Sequence, residues 1–200
     1  MNDLRRGLYT IFGASRPDFA QLPARFRSSV ILRTVKNGHQ SQVLRPIRPE
    51  DEPAIRRFHD LLFEKAVYER YFEHFTLDGR IDHQRLAQIC ANNPDSFALV
   101  IERAPGLGQL KEILVAGRLT TTEAPHVAAF ALLTRDEARE HQFDLIMLRQ
   151  LIVITRAAHF TLLVDDNLIS NHDLLNLCKK LGFTLHAAQD KGIVRVCLSL

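Results

Sequence analysis

Histidine and cysteine are the residues of this sequence that first suggest chemistry, because imidazole and thiolate groups bind metals and act as bases and nucleophiles. The chain has nine histidines and three cysteines. No two histidines have the i, i+4 spacing of a helical metal site, and the cysteines are scattered. The Gly-x-Ser-x-Gly turn and the Walker phosphate loop are missing. We therefore expect no metal site, and we interpret Cys178 as a core thiol rather than a nucleophile.

Charge is distributed unevenly along the 200 residues. Residues 1–28 contain five arginines and two aspartates, and this excess equals the whole net charge of +3. The neutral remainder has no basic stripe, which argues against nucleic-acid binding. We expect residues 1–28 to be a basic arm, either packed on the domain or bound to a partner protein or an anionic surface, and residues 29–200 to be one domain. The scattered cysteines, together with the lack of a signal segment or membrane span, favour the cytoplasm.

Local patterns predict a single α/β (α+β) domain with a mixed, mostly antiparallel central sheet flanked by helices. Asn37-Gly38 lies between two strand-like runs and predicts a hairpin. Apolar residues recur at helical spacing from residue 49 to residue 90, and a long helix is expected at residues 144–158. A helix at residues 173–181 should end at Gly182. We expect strands at residues 30–35, 40–47, 96–102, 112–121, 127–134, 160–164, 183–187 and 193–198.

Four segments carry a family resemblance: residues 44–52 (LRPIRPEDE), 68–72 (YERYF), 129–133 (AFALL) and 177–183 (LCKKLGF). Together they resemble the GNAT N-acetyltransferase superfamily. More narrowly, they are similar to the GNAT domains of bacterial protein-lysine acetyltransferases linked to acyl-CoA-synthetase-like domains. The resemblance covers about residues 29–198. It implies the GNAT fold and transfer of an acetyl or other acyl group from CoA to an amine acceptor such as a protein lysine.

The resemblance also implies where acetyl-CoA would bind. In the family, a strand backbone polarises the thioester carbonyl, and a loop at the start of the central helix holds the pyrophosphate. A helix N-terminus suits phosphate because its first N–H groups are unpaired. The implied cofactor positions are Leu132, Leu133, Thr134, Arg139, Gln142, Phe143, Asp144 and Asn171.

The phosphate loop departs from the family pattern, which is Arg/Gln-x-x-Gly-x-Gly/Ala. Residues 139–144 read REHQFD, so Arg139 is kept while Gln142 and Asp144 replace the small residues. Asp144 could cap the helix and occupy the N–H groups that phosphate needs. It would also repel the phosphates by on the order of 4 kcal/mol at ~4 Å in an effective dielectric of ~20. We expect acetyl-CoA binding to be weak or lost. The alternative is a loop shifted by one residue that binds CoA differently.

The general base is the second departure. Family members of the lysine-acetyltransferase group commonly have a glutamate where this chain has Ala129, which cannot accept a proton. Glu123 and His126, in the preceding turn, are the candidate catalytic residues, acting through a water. A surface turn explains both equally well. Asn171 fits either a pantetheine contact or an ordinary helix N-cap. Two functions therefore stay open, an N-acyltransferase and a non-catalytic GNAT-fold module that binds a partner or a small effector.

Overall fold

The computed structural model describes residues 17–34, 41–71, 76–103, 110–188, 190 and 192–200. Eight strands form one sheet in the order β1-β2-β3-β4-β5-β6-β8-β7. Neighbouring strands are antiparallel except β5 and β6, which are parallel. The mostly antiparallel α/β domain predicted from the sequence is confirmed. The strands are β1 (Val30–Thr34), β2 (Ser41–Pro46), β3 (Ser96–Arg103), β4 (Glu112–Thr121), β5 (Val127–Thr134), β6 (Leu162–Leu168), β7 (Thr184–Ala187) and β8 (Ile193–Ser199).

Helices cover both faces of the sheet, and each face has its own apolar core. On one face α6 packs against β4 and β5; on the other, α1 packs against β4 and α2 against β5. Gly117 lets α6 approach closely, because a Cβ there would lie 2.7 Å from Met147 Cγ. The α-helices of the described residues are α1 (Glu52–Asp60), α2 (Glu64–Tyr71), α3 (Leu77–Arg80), α4 (His83–Ile89), α5 (Asp136–Arg139), α6 (Phe143–Ala157) and α7 (His172–Lys180).

The predicted hairpin is present as the antiparallel pair β1 and β2, although its Asn37-Gly38 turn lies outside the described residues. The long helix begins at Phe143, one residue earlier than expected. Strand β6 is the larger difference, because it continues to Leu168 rather than ending at residue 164. Backbone pairing with β8 holds the polar second half of β6 in the sheet, and Asn167 lies opposite Val194 in this pairing.

Residues 17–28 pack on the domain, which is the first of the two interpretations of the basic arm. Phe19, Leu22 and Phe26 are buried in the same cluster as α6. The Phe19 ring stacks on Phe160 with centroids 5.2 Å apart, and the Phe19 N–H donates to the Pro94 carbonyl at 2.8 Å. The domain boundary at residue 28 stays a prediction. Residues 1–16 of that arm lie outside the described residues.

The LRPIRPEDE segment contributes Arg45 and Asp51 to a buried charge cluster. Arg45, 3% exposed, donates two hydrogen bonds to Asp51, at 2.6 and 2.8 Å, and another to Glu102. Asp51 also accepts the Arg48 N–H at 2.9 Å, and Lys111 Nζ lies 3.5 Å from it. Burial alone lowers the pKa of Arg45, but the bonds to the two carboxylates raise it above its usual value. The cluster fixes the entry into α1 against β2 and β3.

Candidate functional site

The most open feature of the sheet is a fork between its two parallel strands. Strands β5 and β6 pair only at their beginnings, from Val127 opposite Leu162 to Ala129 opposite Val164. Beyond that point β5 stays paired with β4, and β6 stays paired with β8. Residues 130–134 therefore face residues 165–168 across a gap, with backbone edges that are not paired to each other.

This gap opens into a cleft of about 500 Å³, a volume that includes space open to solvent. Helix α2 and helix α7 flank the strands, and the α5–α6 connection closes one end. Apolar and carboxylate side chains share the lining. The lining residues are Ala66, Glu69, Leu132, Leu133, Thr134, Arg139, Asp144, Asp165, Asn167, Asn171, Asp173, Leu174 and Leu177.

The structure brings together most of the cofactor residues implied by the sequence. Leu132, Leu133 and Thr134 line the cleft from β5, while Arg139 and Asp144 line it near the start of α6. Their role as cofactor contacts stays a prediction. The side chain of Phe143 points into the core instead, which leaves only its backbone for a ligand.

Gln142 has a left-handed backbone with φ of 57° and is the N-cap of α6, without a side-chain capping bond. The family has glycine at this position, and glycine is the residue that adopts positive φ most easily. The backbone conformation therefore supports the register drawn from the sequence. The expectation that Asp144 caps the helix needs correction, since Asp144 lies inside the first turn. Its Oδ1 nevertheless accepts the Leu145 N–H at 2.8 Å, so it occupies one of the free donors.

Arg139, the residue implied to hold the pyrophosphate, is already engaged by acids. Its Nη1 donates to Asp173 Oδ2 at 2.7 Å across the mouth of the fork, and its Nε lies 3.8 Å from Asp136. Four carboxylates line the cleft against this one guanidinium, which leaves a net charge of −3. Such a lining opposes a doubly charged pyrophosphate, because like charges in a partly enclosed space repel strongly. The residues present therefore fit the phosphate end of CoA poorly.

Asn171 is the N-cap of α7, and its side-chain oxygen accepts the Leu174 N–H at 3.3 Å. The capping interpretation is therefore confirmed. Asn171 also lines the cleft, so its second interpretation as a cofactor contact stays a prediction.

The two candidate bases are not among the residues that line the cleft. Glu123 is exposed in the turn before β5, and His126 lies three residues before the last pair of the β5–β6 ladder, on the closed side of the fork. The His126 carbonyl accepts the N–H groups of Thr161 and Leu162, which gives this residue a structural role in joining the two strands. Ala129 stands at the last ladder pair, where the fork opens.

Sequence reasoning missed four polar cleft residues: Glu69, Asp165, Asn167 and Asp173. Glu69 lay inside the YERYF segment, and Asp173 lies in the first turn of α7. For Asp165 and Asn167, polarity directly after the apolar part of β6 was the available signal. Cys178 lies fully buried, and burial, with a smaller contribution from Asp165, raises the pKa of its thiol to about 12. It therefore stays protonated and unreactive, as a core thiol should.

In the described part of the chain, no grouping of three histidine, cysteine or carboxylate residues is arranged to hold a metal ion. None of the helices described there has both the length and the apolar character of a membrane-spanning segment.

Solved structures resemble this chain closely in fold and distantly in sequence. The GNAT domain of S. lividans PAT superimposes with a TM-score of 0.72 at 18% sequence identity, over 90% of this chain and 100% of that chain. An N-acetyltransferase of Staphylococcus aureus Mu50 gives 0.58 at 19% identity, over 79% of this chain and 98% of that one.

A third structure, yncA of Salmonella typhimurium, was solved with its cofactor acetyl-CoA. It gives a TM-score of 0.55 at 15% identity, over 80% of this chain and 94% of that one. No family model matches the sequence. The fork between parallel strands and these superpositions together show that the chain has the GNAT N-acetyltransferase fold.

Proposed function

We propose that this chain is a non-catalytic GNAT-fold binding module whose fork binds acyl-CoA weakly. The observation that carries the proposal is the Arg139–Asp173 ion pair across the mouth of the fork. A phosphate held by Arg139 must compete with Asp173 for the guanidinium, and it must also lie in a cleft with a net charge of −3.

The start of α6 supports the same conclusion. Asp144 uses the Leu145 N–H and places its own charge where phosphate would come closest to the helix. The family's expected base position is Ala129, and Glu123 and His126 stand outside the cleft. The phosphate end of the cofactor and the bases expected from the sequence therefore both lack support among the described residues. The three cysteines are free thiols, which favours a cytoplasmic location for the module.

Calorimetric titration of the full chain with acetyl-CoA tests this proposal. We expect a dissociation constant nearer millimolar than micromolar, a difference of about 4 kcal/mol in binding free energy. The control is a GNAT enzyme with an intact glycine loop, titrated under the same conditions, which shows that the acetyl-CoA is intact and able to bind. Low-micromolar binding by this chain would overturn the proposal.

A second candidate is slow acyl transfer to an amine such as a protein lysine. The observation that favours it is the fork itself, because residues 130–134 offer a backbone edge that is not paired with β6. Release of free CoA from acetyl-CoA, measured with and without a lysine-containing peptide, separates the two candidates. Peptide-dependent release, absent from a heat-denatured sample, would support transfer and contradict a purely binding role.

A further inference from the structure

Arg80 is a buried cation whose contacts among the described residues include no carboxylate. It ends the short helix α3 and is 7% exposed. Its Nη1 donates a long hydrogen bond of 3.5 Å to the His59 carbonyl, and its buried Nε has no acceptor in the described part of the chain. Removing a charge from water is costly unless an opposite charge lies close to it. The protein itself therefore compensates this guanidinium only in part.

His59 provides a second unmatched group at the same place. The residue lies in the last turn of α1 and is 3% exposed, and its Nδ1 makes no hydrogen bond with the residues that the structure describes. A neutral imidazole can carry its proton on Nδ1, and it then donates from that atom. Arg80 reaches the carbonyl of the same residue, so both unmatched groups belong to one junction between α1 and α3.

The charges around this junction favour an anion. After burial, the positive charges of Arg80 and of half-buried Arg85 on α4 are what lower the pKa of His59, to about 4, so both cations act on the same imidazole. The carboxyl end of α1 is the negative end of a helix dipole, and it amounts to roughly half an elementary charge. This partial charge does not balance a full guanidinium.

The acidic residues of the same helices are placed where they have little effect. Asp60, Asp78 and Asp82 are exposed, so water and salt screen their charges. Asp82 is also the N-cap of α4, and its Oδ1 accepts the Arg85 N–H at 3.1 Å. The described residues therefore leave the Arg80 charge unbalanced next to a buried imidazole donor.

We propose that the junction of α1, α3 and α4 binds a phosphate group, with Arg80 Nε and His59 Nδ1 donating hydrogen bonds to its oxygens. Phosphate fits because its oxygens can accept from donors on two helices at once, and because such charge-assisted bonds are strong in a buried place. Free phosphate and a phosphate monoester of a small molecule share this chemistry. The junction lies on the sheet face that α1 covers, opposite α6, so the inference goes beyond the proposed function of the fork.

Calorimetry of the full chain at pH 7.5, in Tris buffer of constant ionic strength, tests the proposal. The probes are inorganic phosphate, phenyl phosphate and dimethyl sulfone, which is tetrahedral like phosphate and has no charge. We expect both phosphates to bind and the sulfone not to bind. Tighter binding of phenyl phosphate would identify a phosphate monoester as the natural type of ligand, and tighter binding of inorganic phosphate would identify the free ion.

Variants at the two donors localise the binding. Arg80→Met keeps an unbranched stem and removes the guanidinium, so we expect at least a roughly tenfold weaker dissociation constant. Arg56→Met, the same change at an exposed position of α1, is the matched control and should leave binding within about twofold. His59→Leu should also weaken binding. His59→Asn, which offers an N–H near the place of Nδ1, should retain more binding than His59→Leu.

Thermal unfolding distinguishes a binding role of Arg80 from a purely structural one. Without phosphate, Arg80→Met should unfold at a temperature no lower than the native protein, because it removes a partly compensated buried charge. Phosphate should raise the midpoint of the native protein, by mass action, and leave that of Arg80→Met unchanged. A lower midpoint for Arg80→Met, together with no response of the native protein to phosphate, would make Arg80 a structural cap of α1 and overturn the inference.

The remaining failures can be told apart. If neither phosphate binds, or if the sulfone binds as tightly, the inference fails and the proposed function is unaffected. Phosphate binding that Arg80→Met and Arg56→Met weaken equally would be non-specific charge attraction, and would also overturn the inference. Low-micromolar acetyl-CoA binding that Arg80→Met leaves unchanged would overturn the proposed function alone.

Discussion

Two charge clusters in this molecule contain the same residue types, arginine and carboxylates, but one is enclosed in the protein and the other lines a cleft. At the entry to α1, Arg45 is enclosed with Asp51 and Glu102, and direct hydrogen bonds join the guanidinium to both acids. In the fork, Arg139 is the one basic residue of the lining, and four carboxylates line the same cleft.

The two clusters differ in how completely they are enclosed and in how far the acidic residues outnumber the arginine. The Arg45 cluster is buried, and its described hydrogen bonds are made within the protein, so its role is structural. The fork has an acid surplus around a cleft, so part of its electrostatic free energy is available to an incoming molecule. Charged residues thus stabilise the fold where they are enclosed with matching partners, whereas four carboxylates around one guanidinium leave the cleft acidic.

The largest expected effect comes from removing the cation of the compact cluster. Arg45→Met leaves Asp51 and Glu102 buried without their guanidinium, and we expect a loss of about 3–5 kcal/mol in unfolding free energy. Urea unfolding measures it. The control is Arg195→Met, which breaks an exposed pair with Asp166 and should cost about 0–1 kcal/mol. Equal losses in the two variants would contradict the structural role of the compact cluster.

His59 is a buried titratable side chain on which two cations, Arg80 and Arg85, act. Burial, then the charges of Arg80 and Arg85, lower its pKa to about 4 from 6.5. The folded state therefore binds fewer protons than the unfolded state between these values. Stability from the neutral imidazole is complete above pH ~6.5 and is lost as the pH falls towards 4, by up to about 3 kcal/mol.

Urea unfolding of the native protein and His59→Leu at pH 7.5, 5.5 and 4 measures this contribution. The variant should lose less stability than the native protein over that range, because it has no imidazole to protonate. Parallel pH profiles would show that His59 does not titrate as its burial predicts. Buried Asp51, whose pKa the Arg45 bonds hold down against burial, loses its contribution at lower pH in both proteins.

A smaller effect is expected at the phosphate end of the fork. Asp144→Asn removes the charge and keeps an acceptor for the Leu145 N–H, so any gain in acetyl-CoA affinity reports charge alone. Asp144→Gly also frees that N–H, and with Gln142→Gly, which suits the left-handed backbone, we expect roughly a tenfold gain, or about 1.4 kcal/mol. Calorimetry measures affinity, and Asp190→Asn is the exposed control. No gain in any Asp144 variant would mean that the loop register is wrong.

The smallest effect should come from the ion pair at the mouth. Asp173→Asn releases Arg139 from a partner that is mostly exposed, so the unfolding free energy should change by less than about 1 kcal/mol. The freed guanidinium should raise acetyl-CoA affinity a few fold. Combining Asp173→Asn with Arg139→Met in a double-mutant cycle should remove that gain. A gain that persists without Arg139 would show that reduced acidity of the cleft, and not the released guanidinium, governs the affinity.

Local signals in the sequence were sufficient to predict individual strands and helix ends. Asn37-Gly38 predicted the β1–β2 pairing, and Gly182, with φ of 88°, ends α7 as expected. Asn171 caps α7. In each case a short stretch of backbone geometry decides the residue type, so a few neighbouring residues contain the information.

Long-range packing explains what was missed. The prolines and arginines of residues 17–28 gave no local sign of a core segment, whereas Phe19 and Phe26 are buried by residues far along the chain. Likewise, Glu69 and Asn167 come together because α2 and β6 meet at the fork, which no local pattern encodes. Asp144 alone was enough to predict a weak phosphate site, whereas the surplus of acidic residues around the cleft became visible only in the structure.

The position of Phe19 also has a consequence for the order of events during synthesis. Its ring lies against Phe97 and Phe160, so its packing site is incomplete until residue 160 has been made. At about 5–20 residues per second, the ribosome needs roughly 7 to 30 s to extend the chain from one ring to the other. During that interval the Phe19 ring lacks one of the two aromatic rings against which it packs. Residues 17–28 therefore complete their packing only after residue 160 has been made.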